Sequence, residues 1–340
     1  MPKEEEGVDL AGRTVVVTGA SGFVGGHLAA RLATRERACV RALVRPTSRI
    51  EHLRDLGIHL CPGSITEPGS LRAAFDGADM VFHCAALVRE WGKSEDLYRT
   101  NALGTENVLI AAAGARVARV IHTSSVAVYG LEPDDGTDEA SPLNHASGNP
   151  YADSKIAAEV LVQRYAHERG LNATILRPAD IYGPRSTTGT LGPVVAIKLG
   201  WMELIDGGEG LTNHLYVDNL VDAYVLAAQK DQSGCQAYII SDGVGTTWRE
   251  FFGRYARMMG KGALPSIPKE TAMLKAAEAE AKAERTGRPP FLTRAAVTLM
   301  TQKAVFRLDK ACRELSYAPR ISLDEGMRLT EEWLRAKRYI

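Results

Sequence analysis

The sequence has no excess of either charge: 41 lysines and arginines balance 41 aspartates and glutamates over 340 residues. No global field therefore draws in nucleic acid or an anionic membrane. Cysteine is sparse. Cys39, Cys61, Cys84, Cys235 and Cys312 are odd in number, far apart and never in a CxxC spacing, which argues against a disulfide frame or a zinc site and for reduced thiols. No apolar run approaches the roughly 18 residues of a membrane span, and Met1 to Asp9 is acidic and polar, unlike a signal peptide. A soluble, cytoplasmic protein is expected. With 45% of its residues hydrophobic and 24% charged, the chain can bury a substantial core, as one large domain or two unequal lobes.

What is present starts with a strand, loop and helix over Arg13 to Leu32. Thr14-Val15-Val16-Val17 is an uninterrupted β-branched run, as expected of a strand buried on both faces of a parallel sheet. From Gly25 the apolar residues Leu28, Ala29 and Leu32 shift to helical spacing. Between the two lies Thr18-Gly19-Ala20-Ser21-Gly22-Phe23-Val24-Gly25. Glycines at such a junction serve a tight turn, a close approach of backbone to a pyrophosphate, and helix–strand packing. The helix N-terminus adds free N–H groups and partial positive charge. The same loop without a ligand is a plain strand-to-helix turn, and the rest of the chain must decide.

A second strand is predicted over Ala38 to Leu43, running into Val44-Arg45-Pro46-Thr47-Ser48-Arg49. Where a carboxylate would bond the ribose 2′-OH of NAD, this chain has Arg45, with Arg49 nearby and no acid before Glu51. A guanidinium suits a 2′-phosphate, which favours NADP(H) and keeps NAD(H) open; two solvated surface arginines are the plainer alternative. A third strand is expected at His59 to Ile65, a helix at about Pro68 to Phe75, and a fourth strand at Asp79 to Leu87 ending in small residues that let a flat cofactor lie close. His83 and Cys84 read as core or lining residues, since no partner sits at metal spacing. Leu97 to Ala113, with Asn101, Gly104, Thr105 and Asn107, is predicted to be helical with polar residues toward the cofactor. Arg119 to Thr123 is a fifth strand. This alternation implies an α/β fold with a doubly wound parallel sheet and ligands at the carboxyl ends of its strands.

The fifth strand delivers Ser124-Ser125-Val126-Ala127-Val128-Tyr129-Gly130, and Asn149-Pro150-Tyr151-Ala152-Asp153-Ser154-Lys155 follows an acidic loop. Pro150 before a run of helix formers puts Tyr151 near a first helical turn, so Tyr151 and Lys155, four apart, share one face. A phenol with its usual pKa of about 10 is a poor acid–base group at neutral pH. A neighbouring ammonium favours the phenolate, and a serine hydroxyl from the strand end would hold a substrate oxygen.

Together these residues resemble an extended short-chain dehydrogenase/reductase, of the NAD(P)-dependent epimerase/dehydratase superfamily. The match rests on Thr18 to Gly25, His83-Cys84-Ala85-Ala86, Asn101, Ser125 four residues before Tyr129, Tyr151 with Lys155, and Arg177-Pro178 before Tyr182-Gly183-Pro184. It runs from about Gly12 to the C-terminus, loosely over Phe291 to Trp333, and is closest to the 3β-hydroxysteroid dehydrogenase and dihydroflavonol reductase branch. The resemblance implies a Rossmann-like domain over 10–176 and a smaller, mainly substrate-binding lobe over 177–340, with some chain returning to the core. It makes Tyr151 the general acid–base, Lys155 its pKa-lowering partner and a ribose contact, and Ser125 the substrate hydrogen-bond donor, with Ser124 as helper. The cofactor contacts it implies are Gly19, Ser21, Gly22, Phe23, Val24, Gly25, Arg45, Arg49, Ser64, Ile65, Ala85, Ala86, Lys155 and Pro178. Asn101 is a structural or a cofactor-side polar residue. Ser64 departs from the family, whose members usually carry an Asp there for adenine. A homodimer through the Tyr151 helix is also implied.

Asp134, Asp135, Asp138 and Glu139 lie in a Pro/Gly-interrupted loop and read as a solvated acidic stretch before a catalytic pair. Beyond Arg177 the pattern changes to longer Gly/Pro loops. Trp91, Tyr182, Leu191, Trp201, Met202 and His214 line an apolar pocket or are plain core and surface. Ile267 to Arg285, rich in Ala, Glu and Lys, reads as an exposed amphipathic helix, solvated or serving as a lid.

Three functions compete: a ketone/alcohol oxidoreductase on a hydrophobic sterol-, flavonoid- or long-chain 3-oxo-like substrate, a nucleotide-sugar epimerase or dehydratase, and a non-catalytic NADP-binding regulator. Sugar 4,6-dehydratases of the family carry Thr-Asp-Glu where this chain has Thr123-Ser124-Ser125. Many nucleotide-sugar enzymes place a diphosphate-gripping arginine four residues before the Tyr of Tyr-Val-Asp, where Tyr216-Val217-Asp218 is preceded by Thr212. Arg177 or Arg185 could replace it. The retained Ser125, Tyr151 and Lys155 count against the regulator, and the oxidoreductase is favoured.

Overall fold

The computed structural model describes residues 7–89, 91–145, 147–230 and 233–340. At its centre are seven parallel strands. Six come in order, β1 (Thr14–Thr18), β2 (Cys39–Val44), β3 (His59–Pro62), β4 (Met80–His83), β5 (Arg119–Thr123) and β6 (Ala173–Pro178), and the seventh, Cys235–Ile240, returns from the second half of the chain. Across the sheet the order is Cys235–Ile240, β6, β5, β4, β1, β2, β3. Order therefore reverses between β1 and β4, the switch point at which α/β sheets bind ligands.

The valines of β1 explain the layering. Val15 and Val17 point into a core formed with Leu28 and Leu32 of the helix Phe23–Thr34 and with Leu220, Ala223 and Tyr224 of the helix Val217–Gln229. Val16 points the other way, to Val81, Val120, Val108, Leu109 and Val162. All three are fully buried, which stabilises the strand by roughly 5 kcal/mol and requires helices on both faces.

Several predicted elements are shorter than their sequence pattern. The fourth strand stops at His83, leaving 84–89 as coil beside the switch point. Pro68 to Phe75 is a 3-10 turn, Pro68–Ser70, followed by the short helix Arg72–Phe75. The Asn101 segment is a short helix Ser94–Leu97, a π-type turn Tyr98–Leu103, and the helix Gly104–Gly114.

In the second half, Tyr182, Tyr216, Trp248, Phe251, Phe252 and Tyr255 pack with Met327 and Leu334 into a separate core. The stretch expected as an exposed helix is the strand Ser266–Ile267 and the helix Lys269–Thr286. One face of that helix is buried, because Ala272 and Ala276 pack against Ile205 and Val297; their small side chains admit the neighbouring helix Arg294–Thr301. No described helix is long and apolar enough to cross a membrane.

Candidate active site

The glycine loop occupies the carboxyl end of β1. Gly19 has a left-handed backbone (φ +72°), and a Cβ there would lie 2.7 Å from the Ala85 nitrogen; a Cβ on Gly25 would lie 2.4 Å from the Gly19 oxygen. Both positions therefore exclude side chains, which keeps the loop folded on itself and close to Ala85 and Ala86. Gly22 is the N-cap of the helix Phe23–Thr34. No side chain caps that helix and no acid occupies its first turn, so its N–H groups remain for an outside anion. Ser21, Phe23 and Val24 are half-buried around it. The loop is a cradle that fits a pyrophosphate.

Arg45 and Arg49 are both exposed just beyond β2, and Ser48 Oγ accepts the Arg45 N–H at 3.2 Å. Ser64 bonds Thr66 Oγ1 at 2.9 Å, and its N–H donates to Ser70 Oγ at 2.9 Å, so its hydroxyl shapes a turn. Ile65 is buried against Gly104. Of the two roles open to Asn101, its contacts are structural. Buried, it accepts the Leu87 N–H (2.7 Å) and donates to the Leu87 carbonyl (3.0 Å) and Ser154 Oγ (2.9 Å), tying the coil after β4 to the Tyr151 helix.

That helix, Pro150–Arg169, begins under a side-chain cap: Asn149 Oδ1 accepts the N–H groups of Tyr151 and Ala152 at 3.0 and 3.3 Å. Tyr151 is half-buried, with Ser125 near its phenol. Ser125 caps the 3-10 turn Val126–Tyr129, its Oγ accepting the Ala127 N–H at 3.1 Å. Lys155, only 2% exposed, donates from Nζ to the Thr123 carbonyl. Pro178 is buried at the end of β6, paired in register with Ile240.

Burial pushes the Tyr151 phenol up to about 12, against the lowering influence of the Ser125 hydroxyl. The Lys155 ammonium is aimed at a backbone carbonyl. Burial lowers Lys155 itself to about 8, against the raising influence of Glu159 and Cys84.

Sequence reasoning missed the polar wall behind these residues. His83 Nδ1 lies 2.7 Å from Thr18 Oγ1 and Nε2 lies 2.9 Å from Thr105 Oγ1, bridging the switch point. Burial, with Lys155 nearby, drops its pKa to about 3, so it stays neutral. Tyr224 bonds Thr123 Oγ1 at 2.5 Å near Cys84, whose buried thiol rises to about 11. Its only signal in sequence is a tyrosine inside an apolar helix. No group of three His, Cys, Asp or Glu able to hold a metal occurs among the described residues.

Three readings left open by the sequence narrow. Arg177 is no free anion site: it makes a two-pronged ion pair with Glu159 (3.0 and 2.6 Å) and donates to the Tyr129 hydroxyl (2.6 Å), all buried. Of the acidic loop, Asp134 and Asp135 are exposed, but Glu139 is half-buried and accepts the Ile239 N–H at 2.7 Å, closing the outer edge of the sheet. Tyr182 and His214 are fully buried in the second core and Trp201 is 65% exposed, so the six apolar residues do not form one pocket. Thr212, where the nucleotide-sugar pattern has arginine, is buried and donates to Asp180 Oδ2 at 2.7 Å.

The model of the NAD dependent epimerase/dehydratase family matches residues 15–241. The chain belongs to this family. It is therefore a nicotinamide-dinucleotide-dependent enzyme, with the glycine cradle as the matching feature of its structure. A ketoreductase of Stigmatella aurantiaca, named for a 4-hydroxy-2-methyl-3-oxo-4-farnesyl-3,4-dihydroquinoline-1-oxide, is 33% identical over 316 residues, spanning 92% of this chain and 93% of that one. A UDP-glucose 4-epimerase of Mycolicibacterium smegmatis is 29% identical over 95% of this chain and 98% of its own. Among solved structures, gox2253 is 30% identical with a TM-score of 0.79, covering 95% of this chain and 98% of that one.

Proposed function

We propose that this family member interconverts a ketone and a secondary alcohol on a hydrophobic, sterol-, flavonoid- or long-chain 3-oxo-like substrate, using NADP(H). The observation that carries the reading is the placing of Ser125 and Tyr151 together at the carboxyl ends of the sheet strands, which also bear the glycine cradle, with Lys155 buried behind them on the Thr123 carbonyl. When bound, the dinucleotide would supply a hydride to the carbonyl carbon or take one from the alcohol. In the reducing direction Tyr151 Oη gives its proton to the carbonyl oxygen while Ser125 Oγ donates a hydrogen bond to the same oxygen. Lys155, held by the Thr123 carbonyl, sets a positive charge behind the phenol and would reach a ribose hydroxyl. Gly19, Ser21, Gly22, Phe23, Val24 and Gly25 would hold the pyrophosphate, with Ile65, Ala85, Ala86 and Pro178 around the rest of the dinucleotide. Arg45 and Arg49, neither of them ion-paired among the described residues, suit a 2′-phosphate.

The second reading, a nucleotide-sugar epimerase, is favoured by the similarity to the mycobacterial enzyme. Against it, the position of the diphosphate-gripping arginine carries Thr212, bonded to Asp180, and Arg177, one of the two arginines that could replace it, is spent on Glu159. Residues 177–340 would form most of the substrate lobe. Tyr98, Leu103, Ile110 and Val160 are apolar and exposed and would cover one another in a homodimer through the Tyr151 helix. The five unpaired cysteines suit a cytoplasmic setting. The test is a spectrophotometric screen of NADPH and NADH oxidation with apolar ketones and UDP- or dTDP-sugars. Oxidation with apolar ketones supports the reductase; conversion of a sugar nucleotide without net cofactor consumption supports the epimerase.

A further inference from the structure

The Gly22 carbonyl of the glycine loop is held by a side chain from a distant part of the sequence, with a histidine beside it. Arg185 Nη2 donates to the Gly22 carbonyl at 2.8 Å, and the same nitrogen lies 2.9 Å from His52 Nε2, which in turn lies 3.1 Å from the Ala20 carbonyl. His52 follows the Arg45–Arg49 turn on the adenosine side; Arg185 follows Tyr182-Gly183-Pro184 in the second half. A Cβ on Gly26 would meet Arg185 Nη1 at 2.6 Å and His52 Nε2 at 2.7 Å, so this helical glycine makes room for both.

The charges around Arg185 do not balance. It is half-buried, and no carboxylate pairs with it among the described residues. Its neighbours are His52, with Glu51 beside it, and His27, which bonds the Pro184 carbonyl at 3.0 Å and meets Asp218 at 3.3 Å. Arg185 also has a left-handed backbone (φ +75°), a conformation that costs a non-glycine residue energy and persists where the surroundings impose it. A partly desolvated guanidinium without a counter-ion is unfavourable until an anion arrives. It stands beside a helix N-terminus that has neither cap nor acid.

We propose that Arg185 is a positioning residue for the dinucleotide: it pins the Gly22 carbonyl and keeps beside the glycine loop a positive charge that the pyrophosphate neutralises. This rests on the reading of that loop as the dinucleotide site. Because the pyrophosphate is common to both cofactors, Arg185 serves NADPH and NADH alike, unlike Arg45.

The experiment measures dissociation constants for NADPH and NADH, and thermal midpoints with and without saturating cofactor, for the wild type, Arg185→Gln and Arg185→Lys. Arg185→Gln should weaken both cofactors by about fivefold to tenfold, raise KM for the cofactor more than it lowers kcat, and leave the cofactor-free midpoint unchanged or higher. Arg185→Lys should recover part of the affinity. Unchanged affinity for both cofactors in a folded Arg185→Gln protein, or a loss confined to NADPH, overturns the proposal while the dinucleotide reading stands. A cofactor-free midpoint that falls in both variants with affinity intact assigns Arg185 a purely structural role and also overturns it. A wild type that binds neither cofactor overturns both.

Discussion

Lys155 Nζ donates to the backbone carbonyl of Thr123, not to the phenol of Tyr151 one helical turn before it. The ammonium is anchored to the end of β5, the strand that also delivers Ser125, so the Tyr151 helix and the serine are fixed to each other through a buried charge. Such a charge is held at a cost. Because burial takes the folded pKa of Lys155 to about 8 from an ordinary 10.5, the unfolded chain binds more protons than the folded one between those values.

The consequence for stability has a definite sign. The penalty is complete below pH 8 and is relieved as pH rises through the folded pKa toward the unfolded one. Lys155→Met removes it. Against the wild type, this variant should lose about 2 kcal/mol of relative stability between pH 8 and pH 10, and it should be inactive. Denaturant unfolding at several pH values reads the difference; parallel curves for the two proteins would show that Lys155 is not titrating in that window.

Glu159 lies one turn beyond Lys155 on the same helix and pairs with Arg177 of β6, both side chains buried. Arg177→Met strands the Glu159 carboxylate and frees the Tyr129 hydroxyl, and should cost about 3–5 kcal/mol. Chemical denaturation measures it. Glu159→Gln with Arg177→Met together should recover much of the loss, since no charge is left buried alone.

Cofactor choice is carried by an exposed turn and should change without loss of fold. Arg45→Asp restores the carboxylate that would accept the ribose 2′-OH and should weaken NADPH by at least about tenfold while improving NADH. Fluorescence titration with both cofactors decides it. An equal effect on the two would remove Arg45 from the 2′-phosphate site.

Much of the site was legible because its chemistry is local in sequence. The glycine loop, the Arg45 turn and the Tyr151–Lys155 spacing each declare themselves within eight residues, and β1 to β5 alternate with helices in chain order. What was not legible depends on contacts across long separations. Nothing near Arg177 announces that Glu159, on the helix before it, takes its guanidinium. Nothing in the acidic loop distinguishes Glu139, which pairs with a strand 100 residues later, from the exposed Asp134. The length of the apolar run at Asp79 to Leu87 overstated the strand, because Thr18 Oγ1 takes the Ala85 N–H at 3.2 Å and turns the chain out of the ladder. Nor does the Tyr151–Lys155 spacing show that the ammonium is held by the Thr123 carbonyl, on a strand about 30 residues earlier.

The central claim, that Tyr151 passes the proton in a hydride transfer, is tested most directly by replacing Tyr151 with Phe and measuring NADPH oxidation on an apolar ketone alongside NADPH binding. Loss of turnover by about a hundredfold or more with the dissociation constant for NADPH within twofold of wild type is the predicted result. Turnover that survives in the variant would contradict it.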